Sequence, residues 1–296
     1  MFRLRELADP SDVFRLALVI SLLAPSGVNA EEKFYDIETK YIFGFTEGSG
    51  IGLEGEKEFS PDSVISFGKR DGNYTTTQTK LKYEFTPNQY FQFELGPIVS
   101  IHHIRNVTGL DDLNRMSFGG GFIEVRYLLL DRPASPLAVT IAIEPEWRRI
   151  DETAGQRVQN FGLETRINAD LEVVPKRLFL GFNVLYEPET SRDATGTSTN
   201  ESTLGGSAAI SYRPFPSVVV GAEAWYLRHY DTVGLRQFTG DAVYVGPNVY
   251  VRLTNKMFVA AAWNTQISGH EIGESRKLDL TDFSRHRVKL KIAVEF

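Results

Sequence analysis

Residues 287–296 read Arg-Val-Lys-Leu-Lys-Ile-Ala-Val-Glu-Phe. Val288, Leu290, Ile292, Val294 and Phe296 alternate with Arg287, Lys289, Lys291, Ala293 and Glu295. Side chains on a strand point to opposite faces with period two, so this decapeptide is a strand with one apolar and one charged face. Such a strand needs an apolar medium on one side and a wet or charge-paired space on the other.

The same alternation recurs upstream. Leu81, Tyr83 and Phe85 oppose Lys80, Lys82 and Glu84; Phe91, Phe93 and Leu95 oppose Gln92 and Glu94. Ile123, Val125, Tyr127 and Leu129 oppose Glu124 and Arg126, and Val139, Ile141 and Ile143 oppose Thr140, Glu144, Glu146 and Arg148. Leu163, Ile167, Leu171 and Val173 oppose Glu164, Arg166, Asp170 and Glu172. With the strands read at 177–187, 203–213, 217–230, 241–253 and 257–268, and a first strand at 39–46 carrying Tyr41, Phe43 and Phe45, the pattern predicts about twelve strands of roughly 10–14 residues.

Connections alternate in length. Short turns fall at 87–89, 131–136, 175–176, 214–216 and 255–256, where Pro and Asn punctuate the chain. Long ones fall at 47–73, 104–116, 151–160, 188–202, 231–240 and 269–284. A soluble sandwich has no reason for this regular asymmetry. Aromatics gather near strand ends, among them Tyr83, Tyr90, Tyr127, Trp147, Trp225, Tyr226, Tyr230 and Trp263. This is the placement that suits the headgroup level of a bilayer.

At the other end of the chain, Arg3, Arg5 and Arg15 precede the apolar run 16–24, and Val28 and Ala30 supply the small residues that suit signal peptidase just before a cut. The run is shorter than the ~20 residues of a membrane-spanning helix. It reads as an export signal over residues 1–30, cleaved after Ala30, leaving 31–296 as one domain.

The whole pattern resembles a Gram-negative outer-membrane β-barrel, porin-like, over about residues 39–296. In that family a C-terminal aromatic after alternating apolar residues is the assembly signal, which here would be Phe296. The resemblance implies an antiparallel up-and-down barrel with short periplasmic turns and long extracellular loops. It also implies residence among outer-membrane lipids and assembly by the barrel-insertion machinery. It implies no particular substrate, because fold alone does not fix function.

Function is therefore sought in the lumen. Turning the polar face inward places Lys80, Lys82, Glu84, Glu94, Glu124, Arg126, Glu144 and Glu146 there. Arg148, Glu164, Arg166, Asp170, Glu223, Arg252, Lys289 and Lys291 join them. These charges either line a narrow pore for small polar solutes or ions, or pair across it and close it, leaving the outer loops to bind or support. With Glu172 and Glu295 added from the same face, carboxylates slightly outnumber cations, which points to cation preference if a pore exists. The loop 47–73, being the longest, is expected to fold inward and constrict it.

Other chemistries find little support. The chain of 296 residues has no cysteine, so thiol catalysis and thiolate metal sites are excluded. A net charge of −6 without a basic patch gives nucleic acid no footing. The glycines at 50, 52 and 55 mimic a dinucleotide fingerprint but precede no predicted helix. His102 and His103 are adjacent on a strand and cannot chelate one metal together. Outer-membrane lipid hydrolases use a Ser–His pair, and Ser117 with His103 is the nearest approach to one. The expectation is a non-enzymatic barrel without cofactor or metal.

Overall fold

The computed structural model describes residues 38–132 and 136–296; the leader expected over 1–30 lies outside them. Twelve strands follow one another: β1 Lys57–Phe67, β2 Asn73–Asn88, β3 Phe91–Arg105, β4 Leu113–Leu130, β5 Leu137–Ile150, β6 Arg157–Val174, β7 Leu178–Asp193, β8 Ser198–Phe215, β9 Val218–Tyr230, β10 Phe238–Thr254, β11 Met257–Glu271 and β12 His286–Glu295. Each pairs antiparallel with its sequence neighbours, and β12 returns to β1 through pairs such as Ser63↔Leu290 and Ile65↔Val288. The sheet is a closed barrel, which leaves no long polar edge open to lipid.

The decapeptide that sets the pattern is β12. Leu290, Ile292 and Val294 are exposed on the outside, whereas Lys291 and Ala293 are buried within. The division repeats round the wall, with Ile123, Ile143, Ile167, Phe182 and Ile210 exposed outside and Glu124, Glu144, Asn168, Asn183 and Ser211 buried inside. An apolar outer band over a polar interior is the transmembrane arrangement, because lipid solvates the one and the lumen the other.

Four expectations are corrected. Residues 39–46 form no strand: Thr39–Tyr41 is a single 3-10 turn, and the segment lies inside the barrel. The first strand is β1, inside the supposed loop 47–73, so the connection from β1 to β2 is only 68–72. The loop 188–202 is largely strand, because β7 and β8 run on to Asp193 and Ser198 and leave 194–197 as the turn. Trp225 belongs to no outer girdle; it is buried on the inner face, while its neighbour Tyr226 is 44% exposed. The one long connection left at the loop end is 272–285, between β11 and β12.

Candidate functional site

The lumen is occupied from the short-turn end by residues 39–49, which rise into the barrel, reverse and return to β1. Reversal occurs at Gly44, whose φ of +89° suits a residue without a Cβ. A side chain there would also collide with Glu223. The Gly48 N–H donates to the Lys40 carbonyl at 3.1 Å and closes the loop on itself.

Apolar packing seats the first leg. Tyr41, Ile42 and Phe43 are buried among inward residues of the wall that include Phe179, Ala209, Val219, Phe258 and Ala293. Tyr41 stacks on Phe258 at 5.3 Å between centroids. The Phe43 ring lies over Gly181, where an added Cβ would come within 3.0 Å of it. This inner collar of small and aromatic side chains has the burial of a core although it faces the lumen.

Charges fix the rest. Lys40 donates to Glu84 at 2.9 Å, to Gln92 at 2.6 Å and to Glu94. The Tyr41 hydroxyl also donates to Glu84, at 2.7 Å, and Lys291 stands 3.3 Å from the Tyr41 ring centre. Glu47 accepts from Arg126 at 2.6 Å and pairs with Arg166 at 3.1 Å and Lys289 at 3.9 Å. Asn183 brackets Glu47, accepting from its N–H and donating to its carbonyl, each at 2.7 Å. Glu223 receives the N–H groups of Phe45 and Thr46 at the reversal, at 2.9 and 2.7 Å. Asp170 takes the Thr39 and Ser49 hydroxyls and the Ser49 N–H, and pairs with Arg132.

These groups titrate as the geometry demands. Burial alone would raise the Glu47 pKa, but Arg166, Arg126, Lys289 and Lys82 outweigh it and hold the carboxyl well below the usual range. Burial would likewise lower the Lys40 pKa, yet Glu84 and Glu94 overcome it and raise the ammonium above the ordinary lysine value. Both side chains of the inserted segment therefore stay charged across neutral pH.

All sixteen charges read from the sequence lie on the inner face, in separate groups. Glu84, Glu94, Arg126, Arg166, Asp170, Glu223, Lys289 and Lys291 engage residues 39–49, as above. Glu124 bridges Arg126 and Arg166, Glu164 pairs with Arg166 at 2.6 Å, and Lys82 holds Glu94 at 3.0 Å. Lys80 with Glu144 and Glu146, and Arg148 with Glu146, form a second cluster toward the loop end. Arg252 pairs with Glu295 near the short-turn mouth.

Sequence reasoning missed the partners supplied by the inserted segment, Lys40 and Glu47, and those supplied by β1. There Glu58 pairs with Lys291 at 2.8 Å and Asp62 with Lys82 at 3.4 Å. Two charges within an otherwise aromatic 39–47 run were the available signal.

Between the inserted segment and the long loop lies a cavity of about 510 Å³. Eleven carboxylates and six cationic side chains line it, Glu187, Glu189 and Glu201 among the acids. The loop 272–285 folds over it: Tyr244 donates to the Ser284 carbonyl, and Phe283 packs on Leu185, Trp225, Leu227, Ala242 and Tyr244. Phe45, at the tip of the inserted segment, packs on the same cluster.

The hydrolase pair is not brought together. His103 is exposed outside, whereas Ser117 faces Ser100, which is buried inside. His102 is buried and meets the Glu152 carbonyl at 2.9 Å. The glycines at 50, 52 and 55 lead into a strand, and among the described residues no cluster of His, Asp and Glu is arranged to hold a metal.

A family model described as "Family of unknown function (DUF6662)" matches residues 36–296, so the chain belongs to that family. No curated protein matches the sequence. Among solved structures, the COG4313 outer membrane channel from Pseudomonas putida F1 is similar with a TM-score of 0.59 at 7% identity. The match covers 83% of this chain and 97% of that one. The NanC porin gives 0.46 at 9% identity, with 80% and 98% covered, and the KdgM porin 0.44 at 11%, with 81% and 99%. At these identities the first likeness establishes the barrel fold.

Proposed function

We propose that this DUF6662 member is an outer-membrane channel for small polar solutes or ions, exported by a leader cleaved after Ala30 and gated from within by residues 39–49. The observation that carries the reading is how the inserted segment is held. Among the described residues no backbone–backbone hydrogen bond joins 39–49 to a wall strand; its partners are side chains. It can leave the lumen while every ladder bond of the barrel stays in place. Behind it waits a charged cavity whose acidic excess favours cations. The solved structure that shares the fold is named an outer membrane channel, which supports the same class.

The density of buried ion pairs round Lys40 and Glu47 favours a second reading, a permanently closed barrel whose outer loops do the work. Conductance separates the two. Refolded residues 31–296 in a planar bilayer should give small steps, and a variant lacking 39–49 larger ones, with a reversal potential shifted toward cations in a salt gradient. A folded deletion variant that stays silent sinks the channel reading and leaves the closed barrel.

A further inference from the structure

Near the loop end of the closed wall, β4 and β5 part. The β4–β5 ladder stops at Gly120↔Arg148, although β4 continues to Leu113 and β5 to Ile150. At the break Gly120 has φ +151°, and its backbone lies so close to the Trp147 carbonyl that no Cβ could fit. The resulting cleft measures about 1180 Å³ and is lined from both faces of the wall. Ser117 comes from the inner face; Phe118, Trp147 and Phe161, exposed by 52%, 46% and 56%, come from the outer. Phe118 and Trp147 stand 6.4 Å apart between ring centres.

Arg115, Arg149, Arg157 and Arg192 surround this opening in a chain whose net charge is −6. Arg115 donates to the Gly155 carbonyl at 2.5 Å, and its Nε is buried without a hydrogen-bond partner. Arg149 stands over the Trp147 ring at 5.8 Å, and Arg192 reaches only the Gly196 carbonyl, at 3.3 Å. None of the four pairs with a carboxylate among the described residues. The one acid lining the cleft, Asp193, spends its Oδ1 on the Thr195 and Thr197 N–H groups and the Thr195 hydroxyl.

Four guanidinium groups without counter-ions, set above exposed aromatics at the rim of an apolar band, match one chemistry. Guanidinium forks take phosphate oxygens in pairs. Aromatic rings at the membrane boundary fix the depth at which a headgroup sits, and the apolar band below them accepts acyl chains. We propose that the β4–β5 cleft binds a phosphorylated lipid of the leaflet at the loop end. Arg149, Arg157 and Arg192 hold its phosphate, and its chains lie over Phe118, Trp147 and Phe161. The proposal rests on the barrel's membrane residence and not on its conducting.

Native mass spectrometry of the refolded mature barrel in detergent tests it, with diphosphoryl lipid A and its dephosphorylated form as probes. The intact protein should retain the phosphorylated lipid. Replacing Arg149, Arg157 and Arg192 together by Ala should weaken retention by about tenfold or more, the scale of losing one charged hydrogen bond or several. All three side chains are exposed, so the variant should keep the heat-modifiable migration of a closed barrel. Lys at the same positions should recover part of the loss. Equal retention by intact and Ala proteins, or of both lipids, overturns the proposal. Displacement by millimolar inorganic phosphate does so too, because it marks a site for soluble anions. Deleting 39–49 should leave retention unchanged, so failure here is distinct from failure of the channel reading.

Discussion

Single residues show which lumen charges hold the fold together. Arg126 is fully buried; it pairs with Glu47 and Glu124 and donates to the Gly48 carbonyl at 2.7 Å. An exposed pair is worth about 0–1 kcal/mol, whereas removing one partner of a buried pair strands the other's charge and costs about 3–5 kcal/mol. Glu47 is also nearly inaccessible but keeps Arg166 and Lys289, so the lower end of the buried range applies. Arg126→Met should therefore destabilise the barrel by about 3 kcal/mol, read as a lower urea midpoint at unchanged slope. Arg126→Lys should recover only part of this, since one ammonium cannot reach both Glu47 and the Gly48 carbonyl as a fork does. A midpoint unmoved in Arg126→Met would mean that water already reaches the pair. The inward face of Arg126 was legible from its parity with Glu124. Its partner was not, because Glu47 lies 79 positions away in a segment that makes no ladder.

Elements were legible where the alternation was unbroken and lost where a local rule failed. Tyr41, Phe43 and Phe45 have the period of a strand, but Gly44 reverses the chain between them and the rings find a collar inside the barrel. β1 escaped notice for the opposite reason. Pro61 interrupts it and has no N–H to give, and the β1–β12 register passes from Phe59↔Val294 to Asp62↔Lys291 without pairing Ser60 or Pro61. The loop 272–285 carries a device that no periodicity could reveal. Asp279 is buried against Gly240, its Oδ1 accepting the Thr281 and Asp282 N–H groups at 3.1 Å. Lys69 binds the Thr281 and Phe283 carbonyls nearby, and Arg70 is paired with Glu271. Burial, then the Asp282 and Glu271 charges, push the Asp279 carboxyl up to about 7, against the two N–H groups that favour its ionised form.

The unfolded value is about 3.9, so between roughly pH 4 and 7 the closed loop holds a proton that the open one releases. Closure is therefore favoured at low pH and weakens as pH rises through about 7. Trypsin should cut at Arg276 and Lys277 faster in the native protein at pH 8 than at pH 6, relative to Asp279→Asn at each pH. A ratio independent of pH would mean that the carboxyl does not titrate in this range.

At the scale of the molecule, the barrel itself was readable from residues 287–296 outward, because closing a sheet in lipid leaves few alternatives for an alternating chain. The filling of the barrel was not, since it joins pieces distant in sequence. Residues 39–49 enter from the short-turn end and 272–285 from the loop end, and Phe45 and Phe283 come to rest on one cluster round Trp225 and Tyr244. Side chains that share partners do not move independently; sites in contact typically couple by about 0.5–3 kcal/mol. Emptying either position should loosen the cluster for the other, so the two inward segments should open together. The measurement is a double-mutant cycle on open probability, with Phe45→Ala, Phe283→Ala and the pair. Each single change should raise opening, and the pair should depart from the product of the two effects by about twofold or more, the low end of that coupling range. Independent effects would mean two separate constrictions in series. In that case pH acting at Asp279 would alter access at the loop mouth while leaving the segment held by Lys40 and Glu47 undisturbed.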